Sequence, residues 1–353
     1  MRAWDETDTV LRRVAGQRAA DDAETLAALE REGIDLDPGT PATHRHGDLE
    51  HPSDHAHPHA HAAPGERPVV GIVGAGAVGL VRGIALDRAG WPVGAVASRD
   101  PARRERFRER VPRARGFAEA NALVDEVELI ILAVPDDAVT TVASSLRLYA
   151  GQALVHTSGL LDAEVLRPAM AAGTQVGAFH PLVAFADPER ALAALRGATI
   201  AIDGDEDLAA HLAEMAEAIG AVPVRLATGT KAAYHAAAVL AAGGVIALLD
   251  AIRETAAATG LDEAGTLAIY LPLLEQTVAN ARAIGIAAAL TGPATRGDAG
   301  TIDAHLAALR ADAPGVEPVY RALLERSVAI ALARGAITEP TAERLRAALA
   351  PNP

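Results

Sequence analysis

The chain has 353 residues, half of them hydrophobic but only 3% aromatic, and 32 Lys plus Arg against 46 Asp plus Glu give a net charge of −14. That length accommodates two domains around an Ala/Val/Leu core, and the acidic balance argues against nucleic acid as the main partner. The absence of cysteine excludes disulfides, thiol catalysis and cysteine metal centres. The polar, acidic start Met1-Arg2-Ala3-Trp4-Asp5-Glu6 does not read as a signal peptide, so a cytoplasmic location is expected.

Residues 1–67 read as an N-terminal extension. A polar helix with a thin apolar stripe (Val10, Leu11, Val14, Leu26, Leu29) is expected over 5–32. A biased tract follows with His44, His46, His51, His55, His57, His59 and His61, seven of the twelve histidines in the chain. Interrupted by prolines and without an apolar period, it reads as disordered. Its neutral imidazoles, those of His55, His57, His59 and His61 above all, suit adventitious Zn, Ni or Cu binding rather than a physiological metal site.

From 68 onward strands and helices alternate. Val69-Val70-Gly71-Ile72-Val73 runs into Gly74-x-Gly76-x-x-Gly79 and then an Ala/Leu-rich helix, the strand–turn–helix setting of a dinucleotide fingerprint. Gly74 serves the turn, Gly76 the approach of a pyrophosphate and Gly79 close helix packing. Ala77 and Val78 lie at the helix N-terminus, where free N–H groups and the helix dipole favour phosphate. The second strand, 93–97, ends at Ser98-Arg99 instead of the carboxylate that accepts from an NAD ribose. With Arg103 and Arg104 behind, this suits a 2′-phosphate and hence NADPH. Asp100 before Pro101 reads as a helix cap, and Arg106 and Arg110 as a solvated face.

Val127–Val134 is a nearly continuous apolar run, interrupted by Glu128, as expected of a central parallel strand, and Val134 and Pro135 stand at its carboxyl end, where open α/β sheets bind ligands. Strands are also expected at 153–156, 175–179, 199–202 and, at an edge that tolerates Pro223, 222–226. If they run parallel, the loops after them bring Ser158, His180 and Asp203 to one cleft. Beyond 226 the pattern is helical. One helix is expected from Thr228-Gly229-Thr230 to about Thr259, its apolar part near 232–249 buried, with later breaks at Gly260, Pro272, Gly285, Gly292-Pro293, Gly297 and Pro314-Gly315.

Lys231 is the only lysine in the chain. An ammonium can deliver a proton where a guanidinium essentially cannot, and His235 follows on the same helix face. Either the pair is catalytic or an ordinary lysine survives beside a packed histidine. Farther on, Thr291-Gly292-Pro293-Ala294-Thr295-Arg296-Gly297-Asp298 interrupts the helices. Here Arg296 can clamp a carboxylate, with Thr291 nearby and Asp298 orienting it or capping the helix at 299–309. Alternatively, an internal Arg296–Asp298 pair simply pins the loop.

These residues resemble a family of Rossmann-like oxidoreductases with a C-terminal helical domain long of unknown function. The family lies in the 6-phosphogluconate dehydrogenase-like superfamily, beside the pyrroline-5-carboxylate reductases. The resemblance covers roughly 68–330. It rests on the glycine fingerprint, His156-Thr157-Ser158-Gly159, Phe179-His180-Pro181, Lys231-x-x-Tyr234-His235-x-Ala237-Ala238 and Leu290-Thr291-Gly292-Pro293-x-x-Arg296-Gly297-Asp298. It implies an NADP-linked reductase, with an alternative type of ketopantoate (2-dehydropantoate) reductase the best-known activity among similar proteins. In related hydroxyacid dehydrogenases a helix lysine donates the proton and an Asn often follows four residues on. Lys231 matches the lysine, and His235 stands where that Asn would be. The family usually carries Ser-Asn where this chain has Ala242-Gly243.

The sequence thus predicts a doubly wound parallel α/β Rossmann domain at 68–226 and an all-α substrate and dimerisation domain at 227–353, forming a homodimer without membrane or nucleic acid. The expected chemistry is NADPH-dependent reduction of a small 2-oxo acid. Lys231 serves as acid and His235 as its partner, with Ser158, His180, Thr291, Arg296 and Asp298 at the substrate. The alternatives are an imine reductase of the pyrroline-5-carboxylate reductase type, and a non-catalytic NADP(H) sensor whose His tail handles metal.

Overall fold

The computed structural model describes residues 67–170, 173–227 and 229–350. The expected helix over 5–32 and the histidine tract lie outside the described residues. What is described divides into two compact units, 67–247 and 248–350.

The first unit is an eight-stranded sheet: β1 (Val70–Val73), β2 (Val93–Ala97), β3 (Arg115–Phe117), β4 (Leu129–Leu132), β5 (Ala153–His156), β6 (Gln175–Pro181), β7 (Thr199–Gly204) and β8 (Val222–Arg225). Between them lie α1 (Ala77–Arg88), α2 (Pro101–Arg110), α3 (Asn121–Val124), α4 (Asp136–Ser145), α5 (Arg167–Met170), α6 (Pro188–Ala194) and α7 (Glu206–Ala218). The strand order is β3-β2-β1-β4-β5-β6-β7-β8, so the order reverses between β1 and β4, the point at which doubly wound sheets bind nucleotides. Successive residues of β4 go to opposite faces, Leu129 and Ile131 to one core cluster and Ile130 and Leu132 to the other. A strand covered on both sides must be apolar at every position, which is why its sequence shows no alternation.

The sheet is not wholly parallel. β6 and β7 are antiparallel, paired Pro181↔Ile200 through Gly177↔Gly204, and β8 then runs parallel to β7. The linker containing α6 looks like any other crossover in sequence, so strand direction is not written in the apolar pattern. Asp203 nevertheless comes level with the end of β5, because β6 pairs His156 with Ala178 on one side and Ala178 with Asp203 on the other.

Beyond β8 the chain is helical: α8 (Lys231–Ala241), α9 (Gly243–Ala257), α10 (Glu263–Ile284), α11 (Ile286–Ala289), α12 (Pro293–Arg296), α13 (Ala299–Asp312), α14 (Glu317–Ala333) and α15 (Glu339–Leu349). The sequence boundary falls at 226/227, whereas the first compact unit runs on to 247, because α8 seats Lys231 and His235 against loops of the sheet. The single helix expected to Thr259 is two helices broken at Ala242 (φ −111°, ψ −81°), just before a Gly243-Gly244 pair of the kind that kinks helices. The expected burial near 232–249 is also overturned. Val239, Leu240 and Ile246 are 51%, 73% and 67% exposed within the chain, and Lys231 is the only buried residue of α8. Pro272 lies inside α10 rather than ending it. One missing N–H in a 22-residue helix of mostly good helix formers is outweighed by the turns on either side.

The second unit packs Ile302, Leu306, Val328, Ala342 and Leu345 into its own core. The loop at 290–298 turns on Gly292 (φ 99°) and Gly297 (φ 69°), conformations that glycine adopts without strain.

Candidate functional site

At the carboxyl edge of the sheet three loops lie side by side, joined by backbone bonds that continue the ladder. Gly74 N–H donates to Ala97 O (2.8 Å), Ala133 N–H to Val73 O (2.8 Å) and Thr157 N–H to Leu132 O (3.1 Å). Two fingerprint glycines are sterically fixed. A Cβ on Gly74 (φ 107°) would stand 2.2 Å from Ala133 O, and one on Gly79 would stand 1.9 Å from Gly74 O. Gly76 differs, since a Cβ there would meet nothing within 4 Å. It precedes α1, whose N-terminus carries neither a capping side chain nor an acidic residue in its first turn. The open cradle, with Ala77 exposed and Val78 half-buried beside it, fits a pyrophosphate on free helix N–H groups. Val134 is half-buried and Pro135 exposed on the neighbouring loop.

At the end of β2, Asp100 caps α2, its Oδ1 accepting from Ala102 N–H (2.9 Å) and Arg103 N–H (3.2 Å). Arg103 is committed to Asp100 (3.2 Å) and Arg104 donates to the Ser98 carbonyl. This leaves Arg99, exposed and without an ion pair among the described residues, beside Ser98 as the free cation of the group. Arg106 is exposed, while Arg110 pairs with Glu189 at 2.5 Å.

Farther along the same edge, β5, β6 and α8 bring together His156, His180, Lys231, Tyr234 and His235. His156 is fully buried. Its Nδ1 accepts from Ser158 N–H (3.2 Å), which leaves the proton on Nε2, toward Asp162 O (3.3 Å). Ser158 Oγ accepts from Leu160 N–H (3.1 Å) and Leu161 N–H (3.0 Å), so its hydroxyl shapes the loop and retains one donor. The His180 ring meets Tyr234 and His235 edge to face, each with centroids 5.7 Å away. Gly159 passes so close that a Cβ would lie 2.4 Å from His235 Nδ1 and 2.7 Å from His180 Nε2.

Lys231 is 2% exposed. Four buried polar atoms here lack a hydrogen-bond partner among the described residues: Lys231 Nζ, Tyr234 Oη, His180 Nδ1 and His235 Nδ1. Such atoms are costly unless something polar meets them, so their clustering marks a place built for a polar ligand. Burial pushes the Lys231 ammonium below its ordinary value, partly offset by the charges of Asp203, Asp162 and Asp136. Burial, and then the charge of Lys231, lower His156 to about 4. Burial, followed by Arg82, His235 and Lys231, lowers His180 to about 4. Both imidazoles are therefore neutral at pH 7.

Sequence reasoning missed Arg82. It sits in α1 at 4% exposure, donates to Phe179 O (2.7 Å) and places its guanidinium 4.6 Å from the Phe179 ring centroid. The available signal was one arginine in an otherwise apolar helix stretch, Ala77–Leu86.

In the helical unit Thr291 and Arg296 are exposed, and Arg296 has no ion pair among the described residues. Asp298 caps α13, Oδ1 accepting from Thr301 N–H (3.0 Å) and Oδ2 from Thr301 Oγ1 (2.6 Å). Those bonds hold its carboxyl below the usual value. The internal Arg296–Asp298 pair is thus replaced by a helix cap. Ala242-Gly243 falls at the α8–α9 break, where a Cβ on Gly243 would meet nothing within 4 Å.

A Rossmann-like domain model matches residues 56–181, and a domain of unknown function, DUF2520, matches 198–327. The chain joins a Rossmann-like domain to a DUF2520 domain. No curated protein matches this Rossmann-like/DUF2520 chain in sequence. Among solved structures it is similar to a candidate NADP oxidoreductase from Bacteroides fragilis, with 22% identity, TM-score 0.61, and coverage of 74% of this chain and 98% of that one. A protein of Thermotoga maritima matches at 25% identity and TM-score 0.59, over 76% of this chain and 100% of that one. A reductive aminase from Aspergillus terreus, in complex with NADPH and ethyl-5-oxohexanoate, matches at 18% identity and TM-score 0.58, over 80% and 99%. These likenesses carry the fold.

Proposed function

We propose that the protein is an NADP(H)-dependent oxidoreductase that reduces the carbonyl of a small 2-oxo acid, with ketopantoate a candidate substrate. The observation that carries this reading is Lys231: a buried, unpartnered ammonium with a lowered pKa, at the same sheet edge as the glycine cradle. The NADP named for the Bacteroides protein and the NADPH bound to the Aspergillus enzyme support the cofactor. Gly74, Gly76, Ala77, Val78 and Gly79 would hold its pyrophosphate, Ser98 and Arg99 its 2′-phosphate, and Val134 and Pro135 would border it.

Bound NADPH supplies a hydride to the carbonyl carbon. The oxygen then gathers negative charge, and Lys231 stabilises it and gives up its proton, which a depressed pKa makes easier near neutrality. His235 and Tyr234 offer polar atoms to the same space, and His180 and His156 enter it uncharged. Charge favours C=O over C=N here. The buried cation of this cluster is Lys231, so an iminium would bring a second positive charge beside it, whereas an alkoxide is welcomed. A panel of 2-oxo acids and cyclic imines with NADPH tests this: turnover of imines alone overturns the carbonyl reading, and no turnover with either class favours a sensor.

A second copy of the chain is the partner we assign to the exposed apolar residues Leu240, Ile246, Ile269, Leu273, Val278 and Ile286. The segment Lys231–Ala257 is also long and apolar enough to cross a membrane. Asp250, Arg253 and Glu254 within it, and buried Lys231 at its start, weigh against a span. Sedimentation at a dimer's mass supports the self-association, whereas flotation with lipid vesicles reverses the assignment.

A further inference from the structure

An ordinary surface helix buries its apolar stripe, but α8 does the reverse. Lys231, Tyr234 and His235 face the loops of the sheet, while Val239 and Leu240 are exposed within the chain. Such a helix lines a polar space instead of closing a core, and the hydrogen bonds around that space show what it lacks. Its acceptors are spent. Asp203, foremost of the carboxylates acting on Lys231, accepts from Gly204 N–H (2.9 Å) and Ala163 N–H (3.1 Å), one on each oxygen. His156 Nδ1 accepts from Ser158 N–H, and Ser158 Oγ accepts from Leu160 and Leu161 N–H. Its donors are not spent. Lys231 Nζ and Tyr234 Oη are buried without a partner among the described residues, and Ser158 retains its own hydroxyl proton. A neutral imidazole such as His180 adds one donor and one acceptor and leaves the balance unchanged. The surplus is of donors, so a ligand that fills this space must bring acceptors.

We propose that Tyr234 is a substrate-binding residue: its hydroxyl donates to the carboxylate of the substrate, while Lys231, three residues earlier on the same helix face, meets the oxygen on the adjoining carbon. Burial raises the pKa of Tyr234, so its phenol keeps its proton at neutral pH and remains a donor. A phenol bonded to a carboxylate makes a charge-assisted bond, and the neighbouring ammonium supplies the opposite charge that a desolvated anion needs. This gives the role that the sequence offered to Arg296 to a residue in the same compact unit as Lys231. The ligand class is a carboxylate with a reducible carbon beside it, which describes a 2-oxo acid and equally a cyclic imino acid. The part given to Lys231 rests on the reductase reading above. The carboxylate on Tyr234 does not depend on which double bond is reduced.

The test uses the whole chain with NADPH and two probes that accept no hydride: oxamate, which carries a carboxylate, and oxamide, in which an amide replaces it. The chain has four tyrosines, so a ¹³C-tyrosine spectrum is simple, and the Tyr234 resonance is assigned by its loss in Tyr234→Phe. That variant keeps the ring and its edge-to-face contact with His180 and removes only an unpartnered hydroxyl, so it should fold. Oxamate should shift the Tyr234 resonance, and calorimetry should find it bound about 10–100-fold more weakly by Tyr234→Phe, the worth of a hydrogen bond to a charged group. Oxamide should bind both proteins alike. With any substrate that is turned over, Tyr234→Phe should raise KM more than it lowers kcat. No binding of oxamate, or equal binding by the two proteins with the resonance unmoved, overturns the proposal and leaves the hydroxyl to water. The two readings fail separately. Turnover of 2-oxo acids with a KM indifferent to Tyr234→Phe sinks the role of Tyr234 alone, whereas turnover only of cyclic imino acids with a KM that depends on it sinks the carbonyl reading alone.

Discussion

A methyl group on Gly159 would stand 2.4 Å from Nδ1 of His235, closer than real Cβ atoms approach any neighbour. The loop after β5 can pass between His180 and His235 only as glycine, and no unusual backbone angle is involved. Gly159→Ala must therefore displace one of the two rings. We expect a loss of stability of about 1–3 kcal/mol, as for overpacking in a close-packed core, together with reduced turnover. Urea unfolding and steady-state kinetics check both. A variant with unchanged stability and rate would mean that the rings yield freely and do not form a fixed site.

His156 and His180 make stability depend on acid. Their folded values are about 4, while an unfolded histidine takes up its proton near 6.5. Above pH 7 neither state is protonated and the pair contributes no pH dependence. Between 6.5 and 4 the unfolded chain binds more protons, so stability falls as the pH falls. Around pH 5 the slope should be about 1 kcal/mol per pH unit for each histidine. Unfolding free energies measured from pH 7 to 4.5 should show the decline, and His156→Gln should remove about half of it. A flat profile over that range would show that these imidazoles are not held neutral.

Arg99 is the uncommitted cation at the end of β2, because Asp100 occupies Arg103 and the Ser98 carbonyl occupies Arg104. If it meets the 2′-phosphate, Arg99→Asp should weaken NADPH by about 10–100-fold, the worth of a charge-assisted bond, while NADH is little changed. Fluorescence titration with both cofactors decides the matter. Equal weakening of both would relocate the discrimination away from Arg99.

Much of this was legible in the sequence because it follows from local chemistry. The fingerprint glycines, the Asp100 cap and the buried strands are each specified by neighbours in the chain. β3 was not found, since Arg115-Gly116-Phe117 has no apolar pattern and is a strand only by pairing with β2. The antiparallel β7 was missed because alternation is blind to direction. Lys231 stood out as the one lysine, but its burial, and that of Arg82, depends on long-range packing that no local pattern encodes. The exposed face of α8 and α9 misled for a related reason. Apolar residues signal burial without saying whether the same chain supplies the cover.

Asp298 offers a stability test confined to the helical unit. Its carboxylate accepts from the Thr301 N–H and hydroxyl at the start of α13. Asp298→Ala should cost about 0.5–2 kcal/mol, whereas Asp298→Asn, also a good cap, should lose much less. Thermal unfolding compares the two. Equal loss in both would show that the charge, rather than the cap geometry, is what the helix uses.

The sharpest test falls on Lys231. Lys231→Met keeps the length and apolar character of the stem, and should fold and still bind NADPH, whose glycine cradle lies on β1 and α1. Burial already lowers the ammonium's pKa, so removing it relieves a buried charge and should not cost stability. Turnover should fall by about 10²–10⁴, the usual worth of a positioned proton donor. Lys231→Arg separates the two things that a lysine can do. It keeps a positive charge able to steady an oxyanion but cannot readily release a proton. If Lys231 donates the proton, the Arg variant fails nearly as badly as Met. If it only binds, the Arg variant keeps most of its kcat and changes mainly in KM. The second pattern would move Lys231 from proton donor to binding group, and the role of acid would pass to His235.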